Sequence, residues 1–336
     1  MNPRVAAILV VLLVVLGGGA LLYHQQERAR RPANIETLGQ TLLKDLKAAD
    51  IAAIRIAEPG STLTLERKET GWTLAEREGF PADLGKVHEF VVKAIGLRIG
   101  QSEPIGEKDR ARLALDASGT QVEFLGSDAK AIGKLTVGKK YFRQEVDDPK
   151  KAPADGRFVA LPDEPKMVYL VSDPLAQASA RSADWIDRSS FKVEKVKTLE
   201  VRFPGGGGWR VERSGDNADW KLEGARAPEK LDIPKVNAAS YSLSLLELAD
   251  VAPRGAPDTG LDKPTLINAT TLEGVSYEIK VGRMRGDDYH VSFRSSSEQP
   301  RDKLLSEHVL LVPKAKLEDT LKKRAELLEA RQDASK

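Results

Sequence analysis

The sequence of 336 residues contains no cysteine and has no marked excess of either charge. Without cysteine, the chain cannot form disulfides, thiolate nucleophiles, cysteine-ligated zinc sites or acylated lipoprotein cysteines. Lysine and arginine number 52 against 50 for aspartate and glutamate, and the two signs are interspersed along the chain. Because nucleic-acid binding needs a basic stripe to neutralise phosphates, a nucleic-acid partner is not expected.

The motifs that would mark an active site are also missing. There is no Gly-x-Ser-x-Gly elbow to present a nucleophilic serine. The four histidines, His24, His88, His290 and His308, are far apart, and none belongs to a His-x-x-x-His or His-Glu-x-x-His pair. The sequence therefore predicts no catalytic residue, no cofactor-binding residue and no metal ligand. The chain is not expected to be an enzyme or to need a cofactor.

Adjacent carboxylates occur in three polar segments that are typical of loops. The pairs are Asp147 and Asp148, Asp163 and Glu164, and Asp287 and Asp288. Each pair has lysine or arginine nearby, which favours solvated loop charge. A weak calcium site is the alternative, although the alternating oxygen-ligand spacing of a calcium loop is missing.

A run of four glycines follows Pro204 and ends at Gly208. It lacks the Gly-Lys-Ser/Thr ending of a phosphate-binding loop, and the strand-like Trp209-Arg-Val211 follows it instead of a helix. The pattern therefore predicts a hairpin turn.

One long hydrophobic run is present, near the N-terminus. Val5 to Tyr23 contains nineteen residues without a charge, which is just enough for a helix to span a bilayer. A cleaved signal peptide is the alternative, with a basic start at Met1 to Arg4, an apolar region at Val5 to Leu16 and a small-residue cleavage site at Gly18-Gly19-Ala20. The apolar continuation after Ala20 favours an uncleaved anchor, with the lipid bilayer as its partner.

The arginines around this run bear on its orientation. Arg28, Arg30 and Arg31 follow the run, whereas only Arg4 precedes it. The positive-inside rule alone would keep the C-terminal region in the cytoplasm, but long domains translocate largely regardless of charge. We predict a single-pass protein of the cytoplasmic membrane whose large C-terminal region is periplasmic or extracytoplasmic.

The rest of the chain shows an internal repeat. Asp83-Leu-Gly-Lys-Val87 has a near copy at Asp232-Ile-Pro-Lys-Val236. Later in each copy, Gly138 in Val-Gly-Lys corresponds to Gly282 in Val-Gly-Arg. Landmarks that recur in the same order, with small drifts in spacing, are typical of a duplicated domain.

Each copy also has a tryptophan ahead of its helix start, Trp72 in the first and Trp220 in the second. A pair of indoles could form a ligand platform, because aromatic faces bind sugars and cations. Their equivalent positions favour a core anchor in each copy. Both indoles are predicted to be buried.

The apolar spacing predicts the elements of each copy. Short alternating runs predict strands, and Asp83 and Asp232 are predicted to cap the N-termini of helices. Further helices are predicted before residue 50, from Pro174, and from Pro313 to Leu328, because apolar residues recur there at helical spacing. The predicted fold class is α+β: an N-terminal transmembrane helix followed by two similar repeats, each a mostly antiparallel β-sheet with covering helices.

The chain is long enough for two domains that each bury a core. The predicted segments are residues 1–31 as membrane anchor and flanks, 32–50 as a lead-in helix or stalk, 51–190 as the first α+β repeat, and 191–336 as the second α+β repeat with its C-terminal helix.

These motifs together resemble a known family. The anchor, the lead-in strand Ile51-x-x-Ile54-x-Ile56, the Gly71-Trp72 strand, the aspartate helix starts and the Val-Gly-Lys/Arg strand ends are similar to the bacterial domain of unknown function 4340. The resemblance implies a single-span envelope protein associated with an ABC-type transport system of the gliding-motility auxiliary kind. No catalytic residues are established for that family, so the resemblance implies none in this chain.

The expected function follows from the anchor, the missing motifs and the resemblance. We expect a membrane-anchored, non-enzymatic accessory or scaffold protein with membrane-protein partners in a transport complex. The alternative is an envelope ligand-binding or hydrolytic module that acts on glycan, lipid or peptide. A deep pocket with convergent titratable groups would favour the alternative.

Overall fold

The computed structural model describes residues 37–149, 151–188 and 192–330. Most of the regular structure is β-sheet. The strands are β1 (Ala53–Glu58), β2 (Ser61–Lys68), β3 (Gly71–Leu74), β4 (Phe80–Pro81), β5 (Ile99–Pro104), β6 (Thr120–Leu125), β7 (Ala131–Tyr141), β8 (Gly156–Ala160), β9 (Met167–Val171), β10 (Val196–Arg202), β11 (Gly208–Glu212), β12 (Lys221–Leu222), β13 (Asp250–Val251), β14 (Thr265–Thr271), β15 (Ser276–Arg285), β16 (Asp288–Ser295) and β17 (Val309–Pro313).

The helices are few and short. The α-helices are α1 (Leu84–Ile95), α2 (Glu107–Arg112), α3 (Ile233–Ser242), α4 (Pro300–Ser306) and α5 (Lys314–Leu317). Single 3-10 turns occur at Ala48–Asp50, Ala75–Arg77, Ser182–Asp184, Leu243–Leu245 and Arg324–Leu327.

The described residues divide into two compact units. The first contains residues up to 62 and residues 88–180, and the second contains residues 63–87 and the residues after 180. In the first unit, six strands are hydrogen-bonded in the order β1-β6-β7-β8-β9-β5, with every neighbouring pair antiparallel. This pairing explains the alternation of apolar and polar residues that predicted the strands. Ile54 lies opposite Phe124, and both side chains are fully buried on the same face of the sheet.

The core of the first unit lies between this sheet and helix α1. The ring of Phe90, on α1, stacks on the ring of Phe124 with centroids 6.1 Å apart. Val91 and Ala94 are buried on the same helix, and their spacing of three to four residues places them on one face. Burying a side chain of the size of Phe or Val contributes about 1.5–3 kcal/mol.

The second unit contains a small meander and a larger sheet. Strands β2, β3 and β4 pair in sequence with antiparallel register. Eight strands form the larger sheet in the order β12-β11-β10-β14-β15-β16-β17-β13. Its core-facing residues continue from strand to strand, because Ile267 lies opposite Ile279, and Ile279 lies opposite Phe293. Helix α3 buries Val236 and Ala239.

The strand orders of the two units correspond one for one. The order β1-β6-β7-β8-β9-β5 has the counterpart β10-β14-β15-β16-β17-β13. The next hairpin also corresponds, because β2 pairs with β3 as β11 pairs with β12. A duplicated domain would produce this match, and the internal repeat itself stays a prediction, as do its boundaries.

The predicted helix starts are confirmed. The Oδ1 atom of Asp83 accepts a hydrogen bond from the backbone N–H of Lys86 at 3.2 Å, next to the start of α1. Asp232 is the N-cap of α3, and its Oδ1 atom accepts from the N–H of Lys235 at 3.4 Å. A capping side chain satisfies a donor that has no partner within the helix, which explains the recurrence of aspartate at both positions.

The glycines of the Val-Gly-Lys/Arg motifs lie at irregularities in β7 and β15, where the register shifts. The backbone N–H of Lys139, after Gly138, donates to the carbonyl of Leu113 at 2.9 Å. The N–H of Arg283, after Gly282, donates to the carbonyl of Thr259 at 2.7 Å. In each unit a loop carbonyl therefore approaches the sheet at the glycine, a position that is too close for a side chain.

The predicted α+β fold class is wrong. The described residues form two mostly antiparallel sheets with few helices, and α1 and α3 are the only helices in this part of the chain with ten or more residues. Helical spacing of apolar residues is an ambiguous signal over short segments, because turns that pack against a sheet can bury the same positions.

Three predicted helices show how this ambiguity arose. In the lead-in segment, Leu42, Leu43 and Leu46 are buried, but they lie in turns. After Pro174, the side chain of Asp173 accepts from the N–H of Leu175 at 2.7 Å, and Leu175 has a φ of 46°. This side-chain turn competes with helix formation. The C-terminal segment is α5 followed by turns and a 3-10 turn, not one continuous helix.

The predicted transmembrane helix at residues 5–23, its alternative as a signal peptide, and His24 lie outside the described residues. Within residues 37–149, 151–188 and 192–330, no helix has the length and apolar character needed to cross a membrane.

Candidate functional site

Three of the four histidines lie among the described residues. His88 is exposed, whereas His290 and His308 are buried. The Nδ1 atom of His290 bonds to the carbonyl of Arg283 at 2.9 Å, and that of His308 bonds to the carbonyl of Leu304 at 2.8 Å. Because a carbonyl only accepts, Nδ1 carries the proton in both rings. No group of three metal-ligating side chains occurs among the residues that the structure describes.

The three carboxylate pairs differ in exposure. Asp147, Asp148, Asp163 and Glu164 are exposed, in agreement with solvated loop charge. Asp288 is half-buried, which the sequence did not predict. It stands at the start of β16, opposite Arg285 across a tight hairpin.

The glycine run forms the predicted hairpin turn. Strands β10 and β11 pair antiparallel around it, with Arg202 opposite Gly208. Gly206 and Gly207 have φ values of 88° and 79°, a backbone region that favours glycine. The phosphate-loop alternative is therefore not supported by the local geometry, since a strand and not a helix follows the turn.

The two equivalent tryptophans differ in environment. Trp220 is buried at 5% exposure, and its Nε1–H donates to the Oδ1 atom of Asn237 at 2.9 Å. Trp72 is only half-buried. The prediction of a buried core anchor is confirmed for Trp220 and wrong for Trp72.

A groove with a volume of about 610 Å³ lies beside Trp220. Val193, ahead of β10, and Val196, its first residue, line the groove on one side, and Asn237 and Tyr241 line it from α3. Tyr241 is 64% exposed, so a large aromatic side chain stands in solvent at the groove. Exposed aromatic surface of this kind is enriched where proteins bind partners.

Both cations that line this groove are paired with carboxylates. The guanidinium of Arg213 lies over the ring of Trp220 at 4.8 Å from its centroid. Its Nη2 atom forms an ion pair with Asp216 at 2.9 Å. Lys195 forms an ion pair with Glu273 at 3.0 Å. The groove therefore offers apolar and hydrogen-bonding surface without an excess charge, which suits binding better than acid–base catalysis.

A largely buried polar cluster joins three residues that are far apart in sequence. Arg77 donates from Nε and Nη2 to the two carboxylate oxygens of Asp250, at 3.3 and 3.0 Å. The hydroxyl of Ser182 donates to Oδ2 of Asp250 at 2.6 Å and accepts from Nη2 of Arg77. Arg77 and Asp250 are only 17% and 16% exposed. The serine has no histidine partner in the cluster, so the geometry is that of a structural ion pair.

A family model described as a domain of unknown function (DUF4340) matches residues 72–264, more than half of the chain. The chain belongs to the DUF4340 family. The resemblance that the motifs indicated is thereby confirmed, although this match does not confirm the internal repeat. No curated protein and no solved structure matches the chain.

A second cavity of this DUF4340 protein, with a volume of about 400 Å³, lies beside the cluster and includes Asp250 and Asp288 in its wall. Arg188, Arg285 and Glu247 also line it. Burial raises the pKa of the Asp288 carboxyl, and the negative charges of Asp287 and Asp250 raise it further. The carboxyl group of Asp288 has no hydrogen bond or ion pair with any described residue, so its ionised form is poorly compensated.

The substitution Asp288→Asn is expected to stabilise the protein at pH 7 by about 0.5 kcal/mol, a small value because the group is partly solvated. The penalty in the parent is absent below the ordinary pKa of aspartate, where both folded and unfolded carboxyls are protonated, and complete above the raised pKa of the folded state. Thermal unfolding should show a gain in Tm that fades as the pH falls from 7 to about 4. A gain that is constant over this range would contradict the assignment, and the exposed Asp163→Asn is the control.

Sequence reasoning missed the polar cluster, the partly buried Asp288 and the groove. Arg77 and Asp250 are separated by 173 positions, and Arg77 and Ser182 by 105. No local spacing or motif connects such residues, because their proximity depends on how the strands assemble.

Proposed function

We propose that this DUF4340 protein is a non-enzymatic accessory or scaffold protein of the bacterial envelope, tied to the cytoplasmic membrane by residues 5–23. It would act beside membrane-protein partners of an ABC-type transport system of the gliding-motility auxiliary kind, with its large C-terminal region on the periplasmic side. The resemblance of the motifs to the family supports the association, and the uncharged N-terminal run supports the tether.

The observation that carries the proposal is the groove beside Trp220. Its ion pairs are satisfied internally, and its exposed aromatic, Tyr241, stands where a partner can cover it. An interface of this type gains energy when an aromatic anchor is desolvated, without requiring a reactive group.

A membrane tether lowers the affinity that such a groove needs for its partner. Confining the chain to a thin layer beside a membrane complex raises its effective concentration there by orders of magnitude over free diffusion. A weak interface is then sufficient for association. The tether is therefore part of the proposed mechanism and does more than determine where the protein is located.

We expect that a photo-crosslinking amino acid at Tyr241, in the full-length chain in its native membranes, will crosslink to integral subunits of a transport system. Mass spectrometry of the crosslinked bands identifies these subunits. The same amino acid at Ile132, an exposed position in the first unit, is the matched control and should give no comparable band.

A second arm of this experiment replaces residues 1–31 with a cleavable signal peptide. The released chain should fold but lose most of the Tyr241 crosslinks, since its effective concentration at the membrane falls. Equal crosslinking from the released chain would argue against the tether. Bands that are identical at the Tyr241 and Ile132 positions would argue against the groove.

The alternative function, an envelope ligand-binding or hydrolytic module, has one observation in its favour. A polar cavity in the second unit contains Asp302, a carboxylate buried at 9% exposure. This observation concerns binding and gives no support to hydrolysis.

A further inference from the structure

A polar cavity with a volume of about 350 Å³ lies where the turn after β14 meets the start of α4. Thr271, Tyr277, Ser297 and Gln299 contribute hydroxyl, phenol and amide groups to its wall. A volume of this size is at the lower end of the range for small-molecule sites. The lining is rich in hydrogen-bonding groups, in contrast to the groove beside Trp220.

The carboxylate of Asp302 lines this cavity while the residue is more than nine-tenths buried. It forms no hydrogen bond and no ion pair with any residue that the structure describes. A buried carboxylate is costly unless it is paired or hydrogen-bonded. The carboxylate of Asp302 is therefore available to a hydrogen-bond donor that enters the cavity.

Two other charged side chains of the cavity, Lys195 and Arg301, form ion pairs. Lys195 is paired with Glu273 at 3.0 Å. Arg301 donates from Nη1 to Asp187 at 3.3 Å, and its Nε and Nη2 atoms have no acceptor among the described residues. The ion-pair partner of Arg301 is therefore Asp187 and not its sequence neighbour Asp302.

Lys192 and Glu194 also line the cavity, and they carry opposite charges. Both of these side chains are exposed, so Asp302 is the buried carboxylate of the wall that has no partner among the described residues.

Tyr277 places a second polar group in the same space. Burial raises the pKa of the Tyr277 phenol, and the negative charge of Asp302 adds to this effect. A side-chain hydrogen bond from Ser295 opposes this effect, and the phenol keeps its proton at neutral pH. A carboxylate, a phenol oxygen and the side-chain oxygens of Ser297 and Gln299 are all acceptors.

We propose that this cavity is a binding site for a primary ammonium group. Such a group carries one positive charge and three N–H donors, which match the uncompensated charge of Asp302 and the acceptors around it. The amine headgroup of a lipid and a free small amine share this chemistry. A quaternary ammonium has the charge without the donors and fits less well.

The test is calorimetric titration of the full-length chain in detergent with ethanolamine, O-phosphoethanolamine and choline. Ethanolamine should bind saturably, and choline should bind at least about 10-fold more weakly because it cannot donate hydrogen bonds. Tighter binding of O-phosphoethanolamine would indicate the lipid headgroup as the source, and tighter binding of ethanolamine would indicate a free amine. Absence of saturable binding by either primary amine would overturn the proposal.

Two variants distinguish a specific contact with Asp302 from general electrostatic attraction of the ammonium group. Asp302→Asn keeps the shape of the side chain and should weaken binding about 10-fold or more, the loss expected for a charge-assisted hydrogen bond. Glu298→Gln removes an equal charge from a side chain that is 87% exposed and does not line the cavity, and it should change binding less than about 2-fold, because exposed charges are screened. Equal losses in the two variants would overturn the proposal. If Asp302→Asn does not fold, Tyr277→Phe decides, with a loss of about 3-fold or more expected and an unchanged affinity contradicting the site.

Discussion

Replacing Asp250 with alanine is expected to lower the free energy of unfolding by about 3 kcal/mol. The substitution leaves the guanidinium of Arg77, only 17% exposed, without its two carboxylate acceptors. It also removes the acceptor of the Ser182 hydroxyl. Breaking a largely buried ion pair from one side costs more than the pair contributes, because the remaining charge stays out of water. Urea denaturation followed by circular dichroism measures the loss.

Two further variants give reference values for the loss of stability expected in Asp250→Ala. Ser182→Ala keeps the ion pair and removes one hydroxyl, so a loss of about 1 kcal/mol is expected. Glu273→Ala breaks the exposed pair with Lys195 and should change stability by less than about 0.5 kcal/mol. If Asp250→Ala cost no more than Glu273→Ala, the cluster would not be a buried electrostatic unit.

The second large effect is expected at the two glycines that the repeat comparison aligned. A Cβ atom on Gly138 would stand 2.4 Å from the carbonyl oxygen of Leu113, and one on Gly282 would stand 2.1 Å from that of Thr259. Backbone atoms cannot move aside as the end of a side chain can. Alanine at either position should therefore cost about 3 kcal/mol, the upper range for overpacking.

These two substitutions test the hydrogen bonds of the loop carbonyls as well as the space beside each glycine. Each accepts a hydrogen bond from the residue after the glycine, Lys139 or Arg283, so displacing the loop also breaks that bond. Gly205→Ala is the control, since nothing lies within 4 Å of its Cβ position, and a change within about 0.5 kcal/mol is expected. Thermal unfolding of the three variants gives the comparison. A neutral Gly138→Ala or Gly282→Ala would show that the loops do not need to approach the sheet.

Local chemistry made several elements predictable from the sequence. Asp83 and Asp232 specify helix starts because a short acceptor side chain satisfies a free backbone donor within three residues. The strands follow from alternation, since Leu63 and Leu65 face the core while their neighbours do not. The glycine run before Trp209 predicted a turn because only glycine adopts positive φ without strain. The family could be recognised because these local features keep their order along the chain.

The fold class was not predictable on the same basis. Leu42, Leu43 and Leu46 have the spacing of a helical face, yet they reach the core from turns. The three side chains are buried, but the backbone conformation that buries them depends on the neighbouring sheet. Short segments do not distinguish these cases, because the tertiary packing energy exceeds the intrinsic preference of the segment.

By itself, the sequence determined where helices α1 and α3 begin, most of the strands and the membership of the family, because each depends on residues close together in the chain. Only the tertiary structure decided that β-sheet predominates, that Trp220 is buried while Trp72 is half-buried, and that Arg77, Ser182 and Asp250 meet. It alone placed Asp302 in a cavity without a partner among the described residues. Such contacts arise when strands distant in sequence pair, and their free energy comes from burial and charge compensation that no local pattern encodes.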